Sequence, residues 1–214
     1  SMGKATAGIL PRSFGARHAP DSAPKPVSTS HISVIDGAGN AVSMTTSVGT
    51  AFGAGLMVRG FMLNSQIADF SARPEIDGLA VANRVEPGKR PYHTLTPLMA
   101  LNADGSLAFT LGTPGGDSQT QSLIQIVNNV FLFGMTPQAA IEAPRFRSYN
   151  SLRVDFEDRI PTDVLSDLSR RGHEPRVIHG WTATFGGAHM IRVEPSGTLT
   201  VASDPRREAY GMAY

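Results

Sequence analysis

The sequence contains no cysteine. That excludes a disulfide framework, a thiolate metal site and a cysteine nucleophile, and says nothing of compartment. It also lacks charge of one sign. Charged residues make up 17%, with 19 Lys+Arg against 18 Asp+Glu, so the formal charge is +1. Such a balance supplies no strong field for nucleic acid or a membrane surface, and neither is expected as a partner. No apolar run is long enough for a transmembrane helix. Three familiar site patterns are missing too: a GxGxxG opening a helix after a strand, a GxxxxGK[ST], and the GxSxG elbow of α/β-hydrolases. The six histidines do not form a metal-ligand spacing, and no cofactor is expected.

What is present suits a folded chain. Hydrophobic residues are 41% of 214, enough for one domain with a core, and Gly 22 with Pro 15 indicates many loops. Residues 1–28 are rich in Pro, Ala, Ser and Gly without periodicity and read as an extended or mobile segment, a leader or linker. Regular patterning starts at Thr29. The alternation of Ile32 and Val34, the turn residues Asp36 to Asn40, and a resumed alternation through Ser47 predict a strand, turn and strand. A short buried strand is expected at 60–64, a long loop at 71–91, and a hairpin at 98–101 and 107–111.

The clearest helix covers 118–133, where Leu123, Ile126, Val127, Val130 and Phe131 share one face and Gly134 follows. Thr136-Pro137 starts a second helix that ends at Pro144. A strand at 152–156, a helix at 161–171 and a hairpin over 187–193 and 198–202 complete the reading. Strand runs separated from helices indicate an antiparallel α+β fold.

Three segments carry chemistry. Ser28-Thr29-Ser30-His31 stands where the leader meets the first strand. A threonine hydroxyl attacks carbonyls poorly without a base. If the Ser28–Thr29 bond is cut, the new α-amine of Thr29, with an ordinary pKa of about 7.7–8.0, supplies one. On pattern alone a Thr at a strand start is usually just a β-former. Leu111-Gly112-Thr113-Pro114-Gly115-Gly116-Asp117 joins a strand to the long helix. Its glycines either bring backbone N–H groups to a developing oxyanion or simply make a tight turn. Asn64 to Phe70 puts an amide and a carboxylate, Gln66 and Asp69, three residues apart.

Together these stretches resemble the small subunit of the γ-glutamyltranspeptidase family of N-terminal-nucleophile hydrolases. The matching runs are Thr29 to Asp36, Gly39 to Val42, Gly60 to Asn64, Asp69 to Ser71, Pro87-Gly88-Lys89-Arg90-Pro91, Gly112 to Gly116, Ala143-Pro144-Arg145-Phe146 and Ser203-Asp204-Pro205-Arg206. They occur in the family's order over residues 29–214, the expected small-subunit catalytic domain. The resemblance implies an αββα sandwich shared with the large subunit of one precursor, which cuts itself before Thr29. It implies that Thr29 is the nucleophile, that Ser47 orients it where many members have a second Thr, and that Gly115 and Gly116 form the oxyanion hole. Gln66 and Asp69 match the residues that hold the substrate's α-amine.

Two departures bear on substrate. Gly49 stands where many members carry an Asn. Tyr92-His93-Thr94 replaces their paired serines for the α-carboxylate, leaving Thr94 and His93 as its expected donors. The activity implied is γ-glutamyl transfer or hydrolysis, as from glutathione. The alternatives are an amidase or acylase on another small amide, such as oxamate or a cephalosporin side chain, and a non-catalytic fragment lacking the large subunit.

Overall fold

The computed structural model describes residues 27–149 and 151–213. The expected leader, 1–28, lies outside them except for its last two residues. The chain divides into two units, one of Ser1–Ser28 with Ser47–His93 and one of Thr29–Thr46 with Thr94–Tyr214.

In the second unit a four-stranded antiparallel sheet is ordered β13-β12-β8-β7, from β7 (Leu98–Leu101), β8 (Leu107–Gly112), β12 (His189–Val193) and β13 (Leu199–Ser203). Alternation sends Phe109, Leu111, Met190 and Ala202 to one face. There they meet Leu123, Ile126 and Val130 of α1 (Ser118–Phe131) and Ala140 and Ile141 of α2 (Pro137–Glu142). This is the apolar core. The Thr136 hydroxyl accepts from the Ala139 N–H at 3.4 Å and Pro137 takes the first helical position, as the sequence indicates. The first helix ends at Phe131, two residues short of expectation.

The opposite sheet face receives the hairpin of β1 (Val27–Ile35) and β2 (Ala41–Thr50). The His31 ring lies over Gly112 and stacks on His189 with centroids 6.3 Å apart, while the Ser43 hydroxyl donates to the Leu111 carbonyl at 3.4 Å. The strand begins at Val27, so Thr29 sits inside it rather than at its start. The face assignment also reverses the usual reading of the alternation. Thr29 and His31 are buried, whereas Ile32 and Val34 on β1 and Val42 and Met44 on β2 are exposed.

Burial of polar His31 is tolerated because its ring nitrogens meet the hydroxyls of Thr45 at 2.8 Å and Ser33 at 3.1 Å. Burial, aided by the nearby His189, lowers its pKa from 6.5 to about 4. The ring is therefore neutral in the fold, and the unfolded chain takes up the extra proton between those two pH values. Stability is fully present above pH 6.5 and falls as pH drops toward 4, by about 3 kcal/mol from this group. Urea midpoints at pH 7 and 4.5 will show a smaller difference in His31→Gln than in wild type; an equal difference would remove His31 from the account.

A second, three-stranded sheet is ordered β11-β10-β9, from β9 (Phe146–Ser148), β10 (Arg153–Glu157) and β11 (Glu174–Ile178). Strands β10 and β11 are parallel, joined through α3 (Thr162–Arg170), so the architecture is α+β but not purely antiparallel. The sequence reading missed β9 and β11. Pro175 breaks the β signal of the latter, and is allowed because β11 is an edge strand.

The first unit is mostly turns. The expected buried strand at 60–64 is only a two-residue pairing of β3 (Met57–Val58) with β4 (Phe61–Met62), and Phe61 is 74% exposed. The long loop contains a small hairpin, β5 (Glu75–Ile76) with β6 (Leu79–Ala80). Between them lies a short 3-10 helix, Gln66–Asp69.

Candidate active site

In the first unit, the Ser47 hydroxyl donates to the carbonyl oxygen of Ser28 at 3.1 Å and accepts from the Gly49 N–H at 2.9 Å. The Ser28 carbonyl is the one that a cut before Thr29 would open. Gly49 has φ +86°, and a Cβ there would overlap the Ser65 hydroxyl. An Asn at this position would be strained as well as crowded, which accounts for the departure noted from sequence.

Gln66 opens the 3-10 helix with its N–H donating to the Asn64 side chain at 3.0 Å, and Asp69 closes it. The spacing puts both side chains beside His93, whose Nε2 lies 2.8 Å from Gln66 Oε1 and 3.2 Å from Asp69 Oδ2. Thus His93 meets the residues matched to the amine site. Thr94 lies in the segment leading to β7, and its carbonyl accepts from the Thr96 hydroxyl at 3.3 Å.

In the second unit Thr29 is 5% exposed, and its carbonyl accepts from Arg207 Nη1 at 3.2 Å. A cavity of about 410 Å³ is lined by Thr29, His31, Pro114, Gly187, His189 and Arg207, among others. Of the turn that carries Gly115 and Gly116, Pro114 borders this space with Thr29, and the two glycines are not among its lining residues. Gly115 has φ +136°, and a Cβ there would press on Ser118 Oγ and Gly186 Cα, so the turn admits only glycine. The turn is tied down by its neighbours. Thr113 Oγ1 donates to the Pro114 carbonyl at 2.8 Å and accepts from the Gly187 N–H at 2.9 Å. Ser118 Oγ donates to the Gly115 carbonyl at 2.9 Å, and the Gln119 N–H donates to the Gly116 carbonyl at 3.0 Å. Both carbonyls are thereby directed into the start of α1.

Sequence reasoning missed what lies behind this turn. Arg145, Glu157, Asp204 and Arg206 form a buried ionic cluster. Asp204 accepts from Arg145 Nη2 at 2.7 Å, Arg206 Nη1 at 3.0 Å and the Ala188 N–H at 2.9 Å. Glu157 accepts from Arg206 Nε at 2.5 Å and Nη2 at 2.7 Å. Arg145 also donates to the Phe185 carbonyl at 2.8 Å, shared with the Ser122 hydroxyl at 2.9 Å. Through Phe185 and Ala188 the cluster fixes the segment that braces the Gly115 turn. Burial lowers the Arg145 pKa from its ordinary value to about 10, so it stays charged at neutral pH. The two motifs that contain these arginines were legible in sequence; their pairing across a separation of 59 positions was not.

No group of three or more His, Asp or Glu side chains among the described residues could hold a metal ion. No helix among them is long and apolar enough to cross a membrane.

An antiparallel sheet with helices on one face and a strand hairpin carrying a buried threonine on the other defines the α+β sandwich of the N-terminal-nucleophile hydrolases. The chain belongs to the gamma-glutamyltranspeptidase family, whose model matches residues 5–214. It is 33% identical over 200 residues to a glutathione hydrolase proenzyme of Pseudomonas aeruginosa, an alignment covering 88% of this chain and 35% of that protein. The chain thus spans about a third of the length of this curated relative. A structure of gamma-glutamyltranspeptidase from Pseudomonas nitroreducens complexed with L-DON superposes with a TM-score of 0.74 at 32% identity, over 86% of this chain and 98% of that one. A cephalosporin acylase from Bacillus halodurans matches with a TM-score of 0.74 at 34% identity, over 82% of this chain and 32% of its own.

Proposed function

We propose that this chain is the small-subunit portion of a precursor that cuts itself at Ser28–Thr29 and then transfers or hydrolyses γ-glutamyl groups, as from glutathione. The observation that carries the reading is the Ser47 hydroxyl on the Ser28 carbonyl. Thr29 Oγ1 attacks that carbonyl carbon, the C–N bond breaks as the acyl group shifts to Oγ1 and frees the Thr29 amine, and water then opens the ester to give the Ser28 carboxylate and the Thr29 hydroxyl. The free amine then takes the proton from Oγ1 as the hydroxyl attacks a substrate amide. The oxyanion needs donors at about 2.7–3.1 Å, a role assigned to the N–H groups of Gly115 and Gly116. The acyl-enzyme passes to water or an acceptor amine.

Two features support this reading. Gln66 and Asp69 form a polar pair suited to an ammonium. The exposed apolar face of Ile32, Val34, Val42 and Met44 suits cover by the large subunit of the same precursor.

Substituting Asp69 with alanine in the full precursor tests the substrate assignment. The Asp69 side chain is 37% exposed, so the loss is smaller than for a buried pair. Turnover of a γ-glutamyl anilide is expected to fall about 10- to 100-fold. Self-cleavage, which involves no glutamyl group, stays at the wild-type rate. A wild-type enzyme that ignores the γ-glutamyl anilide would overturn the reading.

A further inference from the structure

The imidazole of His93 sits on the acceptors assigned to the substrate amine. A carboxylate oxygen accepts only, so the Nε2 atom facing Asp69 Oδ2 at 3.2 Å carries the hydrogen. The same N–H reaches Gln66 Oε1 at 2.8 Å and is divided between the two. The arrangement is built in by the backbone. The Asn83 amide donates to the Asp69 carbonyl at 2.7 Å, and its oxygen accepts from the Tyr92 N–H at 2.8 Å. One side chain thereby clamps the residue before His93 to Asp69.

We propose that His93 is a specificity-determining residue that acts as an internal stand-in for the substrate ammonium and so admits acyl amides with no α-amine. The inference rests on the reading of Gln66 and Asp69 as the amine subsite. A γ-glutamyl donor brings an ammonium that must displace the ring or share its acceptors. A glutaryl amide is the same acyl group with hydrogen in place of the α-ammonium. It leaves the contacts of His93 with Gln66 and Asp69 intact and strands no charge. Without His93, binding the glutaryl group leaves the carboxylate facing an apolar methylene, which penalises that substrate, while the ammonium enters unopposed. The ring is 31% exposed, so it has room to turn aside for a γ-glutamyl donor. His93 therefore widens the donor range rather than closing the site.

The test compares γ-glutamyl and glutaryl anilides as substrates of the full precursor, wild type, His93→Ser and His93→Gln, with self-cleavage of each as the measure of correct folding. Wild type is expected to hydrolyse both. His93→Ser should raise the kcat/KM ratio of γ-glutamyl over glutaryl about tenfold or more, through a lower KM for the first and a higher KM for the second. His93→Gln, which keeps an N–H donor, should lie closer to wild type. A ratio unchanged in His93→Ser, or a wild type that cleaves only the γ-glutamyl anilide, overturns this inference and leaves the proposed activity standing. A wild type that cleaves neither overturns both.

Discussion

Thr29→Ala will leave the full precursor as one uncut chain, while Thr29→Ser will still be cut. Alanine keeps the strand but removes the only atom that can attack the Ser28 carbonyl from within the same residue. The structure shows that carbonyl held by Ser47 at 3.1 Å, and the carbonyl of Thr29 itself held by Arg207 at 3.2 Å. The Ser28 carbonyl is thus held in place, as attack by a neighbouring hydroxyl demands. Serine retains Oγ and loses only the methyl that restrains its rotamer, so slower processing is expected. A denaturing gel and N-terminal sequencing read the result. Amide turnover should fall by ~10⁴-fold or more in Thr29→Ala, since nucleophile and base are lost together. Normal subunits from the alanine precursor would refute the mechanism.

Asp204→Ala should cost about 3–5 kcal/mol of stability, because it leaves Arg145 and Arg206 buried beside one fewer carboxylate. It also removes the acceptor of the Ala188 N–H, loosening the segment that braces the Gly115 turn. Asp204→Asn keeps an oxygen for one of these donors and should lie between alanine and wild type. Urea unfolding of the processed enzyme measures both. A midpoint unchanged in Asp204→Ala would mean that the cluster contributes nothing to the fold.

The parts of the fold visible in the residues are those whose causes are local. The hairpin of β7 and β8 is read from alternation around Asn102 to Gly105, and the Asn102 and Ser106 backbone bond closes it. Helices α1 and α2 follow from spacing, a glycine stop and a Thr-Pro start. The misses have equally local origins. Strand β11 contains a proline, β9 is three residues long, and β4 is too short to bury its own apolar side chains. Candidate site residues came from the family resemblance rather than from pattern, because a Thr in a strand or a pair of glycines before a helix has a structural use just as ordinary.

By itself the sequence determined that a strand and turn follow Thr29, that a glycine turn precedes a helix at Ser118, and that Gln66 and Asp69 lie three residues apart. Only the tertiary structure decided which face of that strand goes inward. Period-two alternation puts Thr29 and His31 on one side and Ile32 and Val34 on the other, and local hydrophobicity alone would send the second pair inward. The choice is made by partners far along the chain, the sheet of Gly112 and His189 and the guanidinium of Arg207, 178 positions away. Arg207 satisfies the Thr29 carbonyl, and Thr45 and Ser33 of the hairpin itself satisfy the His31 ring, which makes burial of the polar face affordable and leaves the apolar face outward. The same holds for His93. Its contact with Gln66 spans 27 residues and depends on Asn83 bridging two turns, a link that no spacing rule contains.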